Sequence, residues 1–241
     1  MRMRNKKIYQ WIGTVCCIGI AILLLAWRDQ LNRRPKNPIR DVLVIGCARS
    51  GTTYMTDVLR ACDYRVGHEY LKRNGVCSWE MTVDTKQVPW GHARDGAQFK
   101  HIFHQVRDPL KTITSCLGEP HASFVFIQQH IPEIKSEDSL LTQCAKYWYY
   151  WNLKAEAQAE WTYRIEDLEK NWEELEMRLG RKFDKTVLNA IPKTTNTRGV
   201  IPYLTWAQLK EALDPELYDN ICKLAEKYGY ITDSLKSMQE N

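Results

Sequence analysis

The chain has eight cysteines among its 241 residues, but none forms a C-x-x-C pair or any other spacing that closes a metal site. The histidines His101, His104, His121 and His130 are likewise unclustered with acids or cysteines, so no metal site is assigned. A disulfide framework is not indicated, although an oxidising compartment would allow one pair that the spacing does not select. No N-x-[ST] sequon offers a glycan acceptor, and no repeat or low-complexity tract points to a solenoid or a disordered arm. A basic nucleic-acid face is missing too. Residues 1–40 hold nine Lys or Arg against one acid, so the chain's net +5 leaves the remainder at −3. That is the wrong sign for a domain whose basic surface must be built into its fold.

Those first residues do contain a hydrophobic run. From Ile8 to Trp27 only Gln10 is strongly polar, about the length that crosses a bilayer. Arg2, Arg4, Lys6 and Lys7 precede it, and Trp11 and Trp27 sit near its ends, where amphipathic rings favour the interface. The run closes in Ala26-Trp27-Arg28 without a small-x-small cleavage pattern, so it reads as a retained signal anchor. The expected organisation is a basic tail (1–7), a transmembrane anchor (8–27), a basic juxtamembrane linker (28–40) and one domain (41–241). Basic residues on both sides of the span leave its orientation open, and the linker's cations can meet lipid headgroups or only water.

Within the domain, the apolar run Val42–Ile45 leads into Gly46-Cys47-Ala48-Arg49-Ser50-Gly51-Thr52-Thr53 and then an apolar stripe at helical spacing, Met55, Val58, Leu59 and Cys62. A strand, a glycine-bearing turn and a helix N-terminus together make a phosphate cradle. The spacing matches the nucleoside-triphosphate P-loop, G-x-x-x-x-G, but Thr52 stands where that motif has Lys. The local cation is Arg49, whose fixed guanidinium suits a donor with fewer charges at its reacting end. A second candidate anion site follows the strand Ile102–Val106: Arg107-Asp108-Pro109, with Asp108 able to cap a helix, and Ser115 eight positions beyond Arg107.

The loop resembles the 5′-phosphosulfate site of sulfotransferases, and the second segment matches that family's R-x-P-x-x-x-x-x-S pattern. The resemblance, in the manner of bacterial and Golgi-type membrane-anchored members, implies a three-layer α/β, P-loop-like fold with a mostly parallel central sheet flanked by helices. It implies 3′-phosphoadenosine 5′-phosphosulfate (PAPS) as co-substrate without a metal. Arg49, Ser50, Gly51, Thr52 and Thr53 would hold the 5′ end, and Arg107 and Ser115 the 3′-phosphate. Thr197-Arg198-Gly199 is similar to the basic loop that closes over the 3′-phosphate, which adds Arg198. Where the family commonly has Tyr-Glu-Asp-Leu, this chain has Ile165-Glu166-Asp167-Leu168, so a base-edge contact there is not carried over.

An acceptor hydroxyl on a glycan, lipid, peptide tyrosine or small molecule needs a base. Glu69 ends the strand candidate Tyr64–Glu69, and a catalytic Glu stands at nearly this distance in protein-tyrosine and trehalose-type sulfotransferases. His68 could orient or replace it, and His92 occupies the interval in which cytosolic sulfotransferases place a His. Competing readings are a kinase-like P-loop enzyme and a noncatalytic membrane adaptor that keeps the fold.

Further elements complete the α/β reading. A helix is expected over about 139–160, with Leu140, Cys144, Trp148, Trp151 and Ala155 on one face. Tyr147, Tyr149 and Tyr150 are candidates for packing or for lining an acceptor pocket. A strand over Trp161–Ile165 precedes a helix with Leu168, Trp172, Leu175 and Leu179 that stops at Gly180. Thr205 with Gln208 forms a capping box, and Asp214-Pro215 starts a last helix reaching about Tyr228.

Overall fold

The computed structural model describes residues 38–192 and 202–231. The chain divides into a unit at 1–38 and a compact unit at Ile39–Asn241. The expected anchor at 8–27 and Arg198 lie outside the described residues. Among those that are described, no helix is long and apolar enough to cross a membrane.

Five strands form one sheet: β1 (Arg40–Ile45), β2 (Val66–His68), β3 (Gly75–Cys77), β4 (Phe99–Val106) and β5 (Trp161–Arg164), in the order β2-β3-β1-β4-β5. Every pairing is parallel. Among the described residues the helices are α1 (Thr52–Ala61), α2 (Pro109–Cys116), α3 (His121–His130), α4 (Leu140–Glu156), α5 (Trp172–Leu179), α6 (Val187–Ala190), α7 (Trp206–Ala212) and α8 (Pro215–Lys227).

The apolar β1 is buried on both faces, as a central parallel strand requires. Successive side chains alternate between faces. Val42 and Val44 join Met55, Val58 and Leu59 of α1 and Trp172 and Leu175 of α5 on one side. Leu43 and Ile45 pack with Val76, Met81 and Ala155 of α4 on the other. The largest cluster lies among α2, α3, α4, α7 and α8, around Ile113, Phe126, Trp148, Trp151 and Ile221. Helices on both faces of the sheet give the three layers.

Local chemistry fixes the helix ends. Asp108 accepts from the Lys111 N–H and Ser139 from the Thr142 N–H. Asp214 accepts from the Glu216 and Leu217 N–H groups, Thr205 and Gln208 close a capping box, and Gly180 ends α5 at φ 62°. Each side-chain cap contributes about 0.5–2 kcal/mol. Two expectations shift. Leu140, in the first turn of α4, is 47% exposed, so the buried stripe begins at Cys144. The helix expected from Leu168 starts at Trp172, because Ile165–Asp167 form a 3-10 turn tied down by the Asp167 pairs with Arg164 and Lys170.

The third strand has no counterpart in the sequence reading. Parallel neighbours normally need a crossover of about a dozen residues or more, yet β2 returns to β3 directly through Glu69–Asn74. Gly67 permits this: a Cβ there would lie 1.6 Å from the Tyr70 carbonyl oxygen. The return delivers two strand ends, at His68 and Cys77, to the same edge of the sheet as the Gly46–Thr53 loop.

Candidate active site

In an open parallel sheet, ligands bind beyond the carboxyl ends of the strands, where the order reverses direction. Here the chain leaves β1 for one flank and returns through β4 on the other, so the segments after β1 and β4 are neighbours. The register places Ile45 opposite His104, which makes the Gly46–Thr53 loop adjacent to Gln105 and Arg107. The meeting of the two anion motifs follows from topology.

The contacts are direct. Arg107 Nη1 donates to the Arg49 carbonyl at 2.9 Å, and Arg49 Nε donates to Ser115 Oγ at 2.9 Å. Gln105 Nε2 donates to the Ser50 carbonyl at 2.9 Å, and the Tyr163 hydroxyl holds Gln105 Oε1 at 2.8 Å. From α4, the buried Tyr147 hydroxyl accepts the Ala48 N–H at 2.6 Å. Gly51, at φ 94°, occupies the left-handed conformation that lets α1 start immediately after the loop. No side chain caps α1, and its first turn carries no acid. The result is a braced turn with an uncapped helix dipole, a site suited to an anion.

A cavity of about 640 Å³ opens over this turn. Its walls include Arg49, Arg107 and Lys111, with Thr52, Thr53 and Ile165 at the loop and Trp79, Trp90 and Pro120 farther out. Carboxylates share it. Glu119 Oε1 lies 3.7 Å from Arg49 Nε, and Glu166 accepts from the Asp108 N–H and the Tyr230 hydroxyl. Ser50 is buried with its hydroxyl close to Gly46, so it serves the loop through its backbone. Ser115 meets the site through Arg49.

The β2 end contributes His68 and Glu69, both on the cavity wall. His68 Nε2 lies 3.2 Å from the Thr52 hydroxyl, 3.1 Å from that of Thr53 and 3.5 Å from Glu69 Oε1. Burial, reinforced by Arg60, holds the imidazole below its ordinary pKa, which favours the neutral ring. Glu69 adopts φ 58°, is 8% exposed and receives the Ser78 hydroxyl on Oε2. Burial raises its pKa. His92 does not line the cavity: its ring accepts the Leu71 N–H at 3.1 Å and packs edge-on against Tyr70. Tyr149 and Tyr150 pack on the core, as does Tyr147. Among the described residues, no group of His, Cys, Asp or Glu is placed to hold a metal ion.

Sequence reasoning missed Gln105, Glu119 and the bracing role of Tyr147. Gln105 carried a signal, as a polar residue two positions before Arg107 near the end of its strand, and the structure buries it fully. The other two act across elements and leave no local pattern.

No family model and no curated protein sequence matches this chain. Among solved structures, mouse sulfotransferase SULT7A1 complexed with PAP is similar at 13% identity and a TM-score of 0.42, over 83% of this chain and 88% of that one. The sulfotransferase domain from the curacin biosynthetic pathway is similar at 14% identity and a TM-score of 0.44, over 81% of this chain and 99% of the other.

Proposed function

We propose that this chain is a sulfotransferase that moves the sulfuryl group of PAPS to a hydroxyl acceptor. The observation that carries the reading is the joining of the two anion motifs on one wall: Arg107 to the Arg49 carbonyl, and Arg49 to Ser115, each at 2.9 Å. A bisphosphorylated nucleotide has two phosphate ends to hold, and this wall has two sets of donors for them. The uncapped start of α1, the Thr52 and Thr53 hydroxyls and Arg49 suit the 5′ end. Arg107, on that wall, suits the 3′-phosphate, with Ser115 joined to it through Arg49.

In the proposed reaction the acceptor oxygen forms a bond to sulfur as the bond from sulfur to the 5′-phosphate oxygen breaks. The acceptor's proton goes to Glu69. Loop amides and Arg49 face the charge that grows on the departing phosphate, where one preorganised donor contributes about 3 kcal/mol. A carboxylate with a raised pKa is a better base for a hydroxyl than an ordinary surface Glu. The position of His68 Nε2 between Glu69 and the loop hydroxyls favours a second reading, in which His68 takes the proton and Glu69 stabilises the imidazolium. Attachment to a membrane through residues 8–27 belongs to the same proposal.

Calorimetric titration of the full chain is expected to show metal-independent binding of adenosine 3′,5′-bisphosphate and none of Mg²⁺-ATP. The opposite preference would make it a kinase-like enzyme. With labelled PAPS and a panel of glycan, lipid, peptide and phenolic acceptors, Glu69→Gln should abolish transfer. A loss with His68→Ala alone would move the base to His68, and no transfer by the wild-type chain to any acceptor would leave the adaptor reading.

A further inference from the structure

Beneath the cavity two carboxyl groups meet without a cation between them. Glu80 starts the 3-10 turn Glu80–Thr82 just after β3 and is 0% exposed. It lies within hydrogen-bonding reach of the Glu69 side chain. Glu69 Oε2 receives the Ser78 hydroxyl, the Trp79 N–H also lies beside the Glu69 carboxyl, and Glu80 Oε1 receives the Trp90 N–H at 2.9 Å. The remaining oxygens, Glu69 Oε1 and Glu80 Oε2, are buried and have no donor among the described residues.

The surroundings do not supply the missing charge. His68, 3.5 Å from Glu69 Oε1, is pushed by burial toward its neutral form. Glu119 adds a further negative charge near Glu69. Arg94 donates Nη1 to the Met81 carbonyl at 3.3 Å and to Gln158 Oε1 at 2.6 Å, and burial lowers its pKa, with Asp84 acting in the opposite direction. Two ionised carboxylates in contact and out of water would repel each other at low dielectric. A single proton between them answers both orphan oxygens with one hydrogen bond.

We propose that Glu80 is the protonated member of a carboxylic acid–carboxylate pair and donates its proton as a hydrogen bond to Glu69 Oε1, making Glu80 a positioning residue for the base. The proposal rests on the reading of Glu69 as the base of sulfuryl transfer. Ser78 and Glu80 then grip the two oxygens of Glu69 from the residue after β3 and the turn that follows it. Burial and the neighbouring Glu69 charge both raise the Glu80 pKa, in keeping with that assignment. The pair titrates as a unit. Loss of its last proton at alkaline pH removes the donor and unlocks Glu69.

Infrared spectroscopy of the full chain tests the shared proton without reference to activity. A protonated carboxyl stretch is expected at neutral pH and should vanish in Glu80→Gln. Its absence from the wild type, or its survival in Glu80→Gln, would overturn the proposal. In the transfer assay, Glu80→Gln keeps both hydrogen bonds, so kcat at neutral pH should stay within a few-fold of wild type while the alkaline limb of the pH profile disappears. Glu80→Leu removes the donor and should lower kcat by about a hundredfold, the scale of a displaced catalytic group, with acceptor KM little changed. A folded Glu80→Gln protein as inactive as Glu69→Gln would show that Glu80 acts ionised and would refute the assignment. If the carboxyl band behaves as expected but no sulfuryl transfer occurs, the enzymatic reading falls and the shared proton stands.

Discussion

Replacing Tyr147 with Phe removes one oxygen at the point where α4 holds the Gly46–Thr53 loop. The ring is wholly buried, and its hydroxyl takes the Ala48 N–H at 2.6 Å. Phe keeps the ring contacts with Trp79 and Trp151, so apolar burial hardly changes. What changes is one buried amide, left without an acceptor at a cost of about 1–3 kcal/mol. For a chain of this size each kcal/mol lowers the melting temperature by about 2–4 °C, so circular dichroism should record a fall of about 2–12 °C. In urea, a slope of about 2 kcal/mol per molar converts the same loss into a midpoint lower by about 0.5–1.5 M. Tyr149→Phe, at a half-buried ring on the same helix, is the control and should stay within about 0.5 kcal/mol of wild type. Equal melting temperatures and urea midpoints for Tyr147→Phe and wild type would mean that α4 does not anchor the loop through this bond.

Arg49→Ala should lower kcat at least about thirtyfold, the equivalent of about 2 kcal/mol at the departing phosphate; near-wild-type turnover from a folded variant would remove Arg49 from the reaction. His104, enclosed by Thr162 and Asn152, has its pKa lowered by burial to about 4. Its folded value lies below its unfolded one, so the native state binds fewer protons between the two. Stability is therefore full above about pH 6.5 and falls as the pH drops toward 4, by up to about 3 kcal/mol. Melting curves across that window should be flatter for His104→Gln, and identical pH slopes would exclude His104 as the source. Trp151→Ala empties the centre of the helical cluster and loses the indole bond to the Trp79 carbonyl at 3.1 Å; chemical denaturation should show a loss of about 3–5 kcal/mol, and a loss below about 1 kcal/mol would contradict the packing described.

Much of the fold can be read locally, because its signals lie within one element. The continuous apolar run of β1 marks a strand buried on both faces, and Asp108, Ser139, Thr205 and Asp214 mark helix starts through caps that the structure contains. The β3 strand is different. Gly-Val-Cys is too short to show a period, and its place beside β1 depends on Asp41 and Val42 N–H groups that both reach the Asn74 carbonyl, at 2.9 and 3.0 Å. No pattern within Gly75–Cys77 reports a partner more than thirty positions away.

The same distinction divides the site. The loop Gly46–Thr53 and the Arg107 to Ser115 segment each lie within one strand-turn-helix unit, so their spacing is written in the sequence. Glu80 carries no such mark, since an acid following Ser78-Trp79 reads as a surface carboxylate. It becomes significant only through sheet order: β2 lies on β3 with His68 opposite Cys77, which brings Glu69 to Ser78 and then to the turn that starts at Glu80. Each strand end delivers one part of the site, and the parts that act together come from different strands. Spacing along the chain can locate an anion loop, but a pair of carboxyl groups sharing a proton is a property of register.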